Sequence, residues 1–242
     1  MLDTRQSQRL TIDETDLTRI LETENRPDLR HLDLRFMDLT GFNLDRANLS
    51  GSNLSDANIF GCQLRGARLS HAKLKNAICQ YADLTGCVLD DADMREINLR
   101  GACLASASML KVHLQDSDLR ETDCRRCDMR EAITHGADMA DATLVDANLL
   151  KTDFRDTNLC RVDLSGTYLG QTSFYASILC NANLNGADCR GADFRLADCR
   201  GIKMQAAQVT DIRIDRCDMD GPTKAWIEQA NRLSNIRVAT QT

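Results

Sequence analysis

Aromatic side chains are scarce in this chain of 242 residues: one Trp, three Tyr and six Phe, 4% in all. That is too few to fill a conventional core with rings. Two prolines and 13 glycines exclude a collagen-like or proline-rich disordered chain. No run approaches the ~18 consecutive apolar residues of a membrane-spanning helix. The opening stretch Met1-Leu2-Asp3-Thr4-Arg5-Gln6 lacks the apolar centre of a signal peptide. The expected compartment is therefore the cytoplasm, with no membrane partner. Basic charge is not in excess either. A net charge of −6 and a pI near 5.3 argue against nucleic-acid binding, which relies on neutralising phosphates with Lys and Arg.

What the chain has instead is a period. Ala47-Asn48-Leu49-Ser50-Gly51 is one copy of a five-residue unit that recurs without insertion or deletion. Every fifth residue from Leu29 to Met219 gives 39 positions: 22 Leu, 6 Met, 3 Phe, 4 Cys, 2 Ile, Val209 and Thr134. Two residues before each lies a second series, 18 of whose 39 members are Ala. A fixed period of this kind outranks local propensity in reading the fold. Apolar residues two apart share one side of a short extended segment. The three polar or small residues between pairs must then bend the chain, so that each new pair faces the same interior. Short extended pieces joined by bends make a coil that stacks on the next.

The unit matches A(D/N)LXX, the motif of the pentapeptide-repeat family. Clear copies are Ala47-Asn48-Leu49, Ala57-Asn58-Ile59, Ala82-Asp83-Leu84, Ala147-Asn148-Leu149, Ala182-Asn183-Leu184 and Ala192-Asp193-Phe194. The chain resembles that family over about four fifths of its length. The resemblance implies an all-β solenoid, a right-handed quadrilateral β-helix with four pentads, or twenty residues, per coil. The central residue and the small residue before it would point inward. The 39 pentads then make about ten coils, a rod about 45–50 Å long at ~4.8 Å per stacked strand. Twelve of the 13 glycines occupy the last pentad position, nine of them on two faces. Glycine accepts positive φ without steric cost, so those two faces are predicted to use type II turns more often than the others.

The period is absent at both ends. Residues 1–24 are read as an N-terminal capping segment, 25–221 as the β-helix, and 222–242 as a C-terminal capping helix and tail. Thr11-Ile12-Asp13-Glu14 has the form of a capping box, and Leu17, Ile20 and Leu21 fall on one helical face, which predicts a helix over 12–23. Pro222 suits a first helical turn, and Trp226, Ala230 and Leu233, with Ile227 beside them, form a stripe on a helix over 222–235. Two readings of Trp226 stand side by side. It packs on the last coil near Ile214 and Met219, or it helps form a homodimer, since Trp is favoured at interfaces and relatives in the family often dimerise through this end. Trp226, Ile227 and Leu233 are the candidate dimer contacts.

Chemistry is hard to find. Cys124-Arg125-Arg126-Cys127 has redox or zinc spacing, but the register turns both thiols inward. Cys62, Cys79, Cys87, Cys189, Cys199 and Cys217 are inward by the same reckoning and are read as small hydrophobes. Cys160 and Cys180 lie outward at one register on adjacent coils, with α-carbons expected about 5 Å apart, within disulfide reach. A reducing cytosol would keep them as thiols. His31, His71, His113 and His135 are outward. His113 and His135 share a face on neighbouring coils, too little for a metal site. No catalytic constellation or phosphate loop is visible, so neither enzyme activity nor a cofactor or metal is expected.

Function is therefore sought on the surface. The family includes acidic rods that bind DNA gyrase in place of DNA and protect it from quinolones. Here, however, an Arg stands two residues after an Asp at Arg30, Arg35, Arg95, Arg120, Arg125, Arg130, Arg155, Arg190, Arg195 and Arg200. Close opposite charges cancel at distance. A non-enzymatic interaction or regulatory scaffold is the preferred expectation, with an unidentified protein partner. The gyrase mimic is the alternative. Phe60, Ile78 and Tyr81 break the polar pattern on one face of adjacent coils and are the candidate partner surface. Leu150 and Tyr168 form a second set. With its N-terminal helix and unbroken coils, the chain also resembles cyanobacterial pentapeptide proteins that act through a regulatory partner.

Overall fold

The computed structural model describes residues 12–23 and 26–239. Its elements are a short helix α1, Glu14–Thr23, a long run of stacked turns, and a helix α2, Gly221–Ala239. From Asp28 to Asp218 the residue at each Asp/Asn position is in parallel register with the residue twenty positions on, beginning with Asp28↔Asn48 and ending with Asp198↔Asp218. A constant offset of twenty makes each coil four pentads long. Each pentad contributes a single bridging residue followed by a turn, so the extended pieces never lengthen into ordinary strands.

The backbone of one pentad explains its sequence. Ala47 N–H closes the preceding turn on Leu44 O (3.0 Å), Asn48 N–H reaches back one coil to Pro27 O (2.9 Å), and Leu49 and Gly51 N–H reach forward to Arg68 O (2.7 Å) and Ser70 O (2.9 Å). Only Ser50 N–H finds no carbonyl. It donates to Asn48 Oδ1 (3.3 Å). The same bond recurs as Thr40 N–H to Asp38 (3.0 Å) and Asp45 N–H to Asn43 (2.9 Å). Asp or Asn is favoured at this position because its oxygen sits two residues before an otherwise orphaned donor. At three positions where the motif fails, a neighbouring coil supplies the acceptor. Gln63, Ser108 and Lys203 occupy the Asp/Asn position, and the orphaned N–H groups of Arg65, Leu110 and Gln205 bond instead to Asp45, Asp90 and Asn185, each twenty residues earlier.

The turns depart from expectation. All 38 final pentad positions from His31 to Arg216 have positive φ, and 27 of them are not glycine. A left-handed L-residue costs about 1 kcal/mol. The turn and the two flanking inter-coil bonds impose that conformation on every face, so type II geometry is not confined to the glycine-rich faces. Several glycines serve space instead. A Cβ at Gly101 would lie 2.6 Å from Tyr81 Cε1, and one at Gly51 would lie 2.6 Å from His31 Nδ1. In both cases the side chain one coil back leans across the glycine.

Inside, both apolar series are buried from Leu29 to Cys199 almost without exception. Phe154, Phe174 and Phe194 share one register and stack at 5.4 and 4.8 Å between ring centroids. Polar residues enter the inward series only with a partner. Ser117 and Thr122 hydroxyls donate to the carbonyls of Leu114 and Leu119. The one central threonine, Thr134, lies 3.1 Å from Thr157 Oγ1.

The termini also differ in detail from the sequence expectation. Thr11, the first residue of the expected capping box, lies outside the described residues. Asp13 is the N-cap of α1, accepting Asp16 N–H at 2.8 Å. Leu17 of α1 is fully buried, with Ile12, Ile20 and Leu21 against the core. Asp220 caps α2, accepting Thr223 N–H (2.9 Å) and its hydroxyl (2.8 Å). That helix starts at Gly221 and runs to Ala239, longer than expected.

Two substitutions separate core from motif. Phe174→Ala removes the middle ring of the stack and is expected to cost about 3–5 kcal/mol. Asn43→Ala orphans one backbone donor and is expected to cost about 1 kcal/mol. Urea unfolding of both variants checks the order; equal losses would contradict this account of the pentad.

Candidate functional site

The cysteines resolve as their register requires. Cys62, Cys79, Cys87, Cys124, Cys127, Cys189, Cys199 and Cys217 are buried free thiols. Burial pushes Cys62 up to about 11 and Cys87 and Cys189 up to about 12. Cys127 is raised by its contact with Cys124 and by burial. Such thiols carry almost no thiolate near neutral pH and are poor nucleophiles. Cys160 and Cys180 stand 4.7 Å apart at their α-carbons, as the register requires, but are joined by a disulfide and are not the free thiols expected. His135 Nδ1 faces Arg155 O (3.2 Å) and Asp156 Oδ2 (3.3 Å). Among the described residues, no three His, Cys, Asp or Glu side chains converge as metal ligands.

The outer surface is dominated by arginine forks. Each of the ten Arg residues named from the sequence grips the Asp two positions before it through Nε and Nη2. Examples are Arg120 on Asp118 (2.9 and 2.6 Å) and Arg95 on Asp93 (2.7 and 2.7 Å). The geometry follows from the motif. The Asp accepts the N–H of the residue bearing the guanidinium, so the two side chains leave the turn together. The fork holds the carboxyls of Asp93, Asp118, Asp123, Asp128, Asp188 and Asp198 below the ordinary carboxylate value, against a smaller opposing effect of burial. Other pairs cross between coils, as Arg161–Asp141, Arg65–Asp83, Lys75–Glu96 and Arg100–Glu121.

Apolar groups interrupt this surface in a few places. Phe60, Ile78 and Tyr81 are 42%, 43% and 57% exposed, and the Phe60 and Tyr81 rings meet edge to face at 5.7 Å. Gly101 gives Tyr81 the room to lie along the rod. Leu150 and Tyr168 line an open recess of about 470 Å3 with Gly170, Gln171, Asn148, Asp188 and Arg190.

The family model described as Pentapeptide repeats matches eight copies, over residues 28–66, 67–105, 107–144, 137–174 and 179–221, well over half of the chain. The chain is a pentapeptide-repeat protein. Among solved structures it is similar to HetL, a pentapeptide repeat protein involved in heterocyst differentiation regulation from the cyanobacterium Nostoc sp. strain PCC 7120. That similarity has 26% identity and a TM-score of 0.56, and covers 84% of this chain and 94% of HetL. A thylakoid-lumen pentapeptide repeat protein from Arabidopsis thaliana is 25% identical with a TM-score of 0.34, covering 53% and 72% of the two chains. Full-length QnrB1, a plasmid-mediated fluoroquinolone resistance protein, is 17% identical with a TM-score of 0.30, covering 81% and 98%. The comparison with curated proteins found no match. No helix among the described residues is long and apolar enough to cross a membrane.

At the C-terminal end of this pentapeptide-repeat protein the candidate contacts separate. Ile227 is fully buried within its own chain, in the core cluster that Ile214 and Met219 pack against, so its side chain is not available to a second molecule. Trp226 is 40% exposed and lines a groove of about 590 Å3 with Pro222, Thr223 and the stretch Ile202–Ala206. Neither sequence reading placed it there. The side chain of Leu233 lies outside the described residues. Phe36, Tyr175, Ile178 and Leu196 are also exposed and were missed by sequence reasoning. All four are large apolar residues at outward pentad positions, a signal the register makes readable.

The depressed carboxylates set the response to acid. The native state binds fewer protons than the unfolded chain between the unfolded value, about 4, and the lower folded values. Their contribution to stability is complete above about pH 4 and lost as pH falls through those folded values. The melting temperature should therefore drop between about pH 4 and pH 2; a flat profile across that range would show that the forks add nothing.

Proposed function

We propose that this pentapeptide-repeat protein is a non-enzymatic interaction module with a regulatory role, and that a protein partner docks on the face carrying Phe60, Ile78 and Tyr81. The observation that carries this reading is three half-exposed apolar side chains gathered on a surface otherwise occupied by ion pairs. Contiguous exposed apolar area of this kind is a common mark of a partner site. The regulatory part draws on the likeness to HetL, whose described involvement is in regulation. We further infer a right-handed quadrilateral β-helix of about ten coils over 25–221, with α1 and α2 as end caps, working in the cytoplasm. The twenty-residue bridge offset and the burial of Leu17 and Ile227 support that architecture, while the location rests on the sequence alone.

Phe60→Asp/Tyr81→Asp should lose a partner that the wild type recovers in a pulldown, while its unfolding midpoint stays close to the wild type. If every partner is retained, the docking face is elsewhere.

The gyrase-mimic alternative needs an extended anionic surface. Ten of the outward Asp residues that would build it are each bound by an Arg, and a pair of that kind has little field beyond a Debye length of about 8–10 Å. Gyrase supercoiling, with or without a quinolone, should be unaffected by the protein; inhibition or protection would revive the mimic.

The exposure of Trp226 favours a homodimer contact at the C-terminal groove. Sedimentation should show a dimer that Trp226→Ala shifts toward monomer. A monomeric wild type removes the contact.

A further inference from the structure

Most arginines of this chain are locked onto a carboxylate. Arg26, Arg46 and Arg68 have no carboxylate partner among the described residues, and all three line one open groove of about 600 Å3, together with Asp28, Asn48, Gly66 and Val88. Asp28 adds no free charge, because its carboxylate is held by Arg30 at 2.6 Å. The groove therefore carries about three positive charges on a chain whose net charge is −6.

Its construction follows from the register. Arg26, Arg46 and Gly66 are twenty residues apart in succession and occupy one corner of successive coils, and Asp28, Asn48, Arg68 and Val88 are linked by parallel bridges. Gly66 removes the side chain that would fill the middle of the groove. Arg46 leans over it, its Cγ 3.8 Å from where a Cβ would stand.

The fold requires neither Arg46 nor Arg68. Arg68 occupies the Asp/Asn position without serving it: Ser70 N–H has no side-chain acceptor of the kind that Asn48 gives Ser50, and none for it is found among the described residues. Arg46 sits at φ 61, a conformation that Gly adopts without strain.

We propose that this groove binds a short acidic segment of a protein partner, laid along the rod so that its carboxylates meet Arg26, Arg46 and Arg68. Guanidinium forks recognise carboxylates with directional, charge-assisted bonds. Residues 28 to 88 span three coil spacings, about 14 Å, the reach of about four extended residues. The groove lies one pentad along the coil from the Phe60 patch: Phe60-Gly61 leads through Gln63 and Arg65 to Gly66. The proposal deepens the interaction reading by naming the chemistry of the partner, and it rests on that reading only for the partner's being a protein.

The test is fluorescence polarisation with a labelled eight-residue peptide of Asp and Glu. Arg46→Gly/Arg68→Asn removes two charges while installing residues that suit both positions, so its unfolding midpoint should equal or exceed that of the wild type. The wild type should bind the peptide, with affinity falling as salt rises. The double variant should lose about 100-fold, roughly tenfold per charged contact. Arg126→Gly, which removes one positive charge further along the rod, and Phe60→Asn/Tyr81→Asn, which removes the apolar patch without adding charge, should bind like the wild type. The proposal is overturned if the wild type does not bind the peptide, if the double variant binds it equally well, if Arg126→Gly loses as much, or if an oligonucleotide of the same length binds more tightly through the same arginines. A peptide lost by the arginine variant with pulldown partners untouched by the Phe60 variant would reject the apolar patch alone.

Discussion

The structure depends on one hydrogen-bonding constraint. A coil of pentads offers each backbone N–H a carbonyl except the one that follows the central residue, and that donor is left to a nearby side chain or to solvent. An Asp or Asn oxygen two residues earlier supplies the acceptor, as Asn48 does for Ser50. The requirement recurs every five residues, so it writes itself into the sequence as a motif. Its logic is clearest where the motif is broken. Asp45, Asp90 and Asn185 stand outside the Asp/Asn position, yet each serves the unmatched donor one coil on. At these three positions a residue outside the motif does the motif's work, since an unpaired backbone donor is costly to leave unmet; elsewhere, as at Ser70, the outward corner leaves the donor to solvent.

The same oxygen organises the surface charge. Since the Asp accepts the N–H of the residue two positions on, an Arg placed there leaves the turn beside the carboxylate it will grip. Ten forks follow, and their individual stability value is small because they are exposed. Their larger effect is on the field of the rod: paired charges leave little long-range potential, so a site that works by charge has to be built from unpaired groups. Arg26, Arg46 and Arg68 are such groups, and Phe60, Ile78 and Tyr81 are their apolar equivalent.

The interior was legible almost residue by residue. The inward positions of Cys124 and Cys127, the alignment of Cys160 with Cys180 and the twenty-residue coil all follow from counting in fives. So did the exposure of Phe60, Ile78 and Tyr81, since position in the pentad decides which way a side chain leaves the rod. The turns were less legible. Glycine placement suggested that two faces differ, whereas the inter-coil bonds impose positive φ at every corner. Propensity yields to the ladder because each corner is held between two other coils.

What the sequence by itself determined is whatever repeats: the coil length, the core, the outward Asp ladder with its arginines, and the existence of a helix at each end. What only the tertiary structure decided is what depends on a particular neighbour one coil away. Tyr81 lies along the rod because residue 101 is glycine, and Arg46 spans a groove because residue 66 is. Ile227, and not Trp226, is sunk into the core because Ile227 stands on the side of α2 that meets the rod. A period specifies where each position points; the contact it makes there is set by the residue twenty places away, and no local pattern carries that.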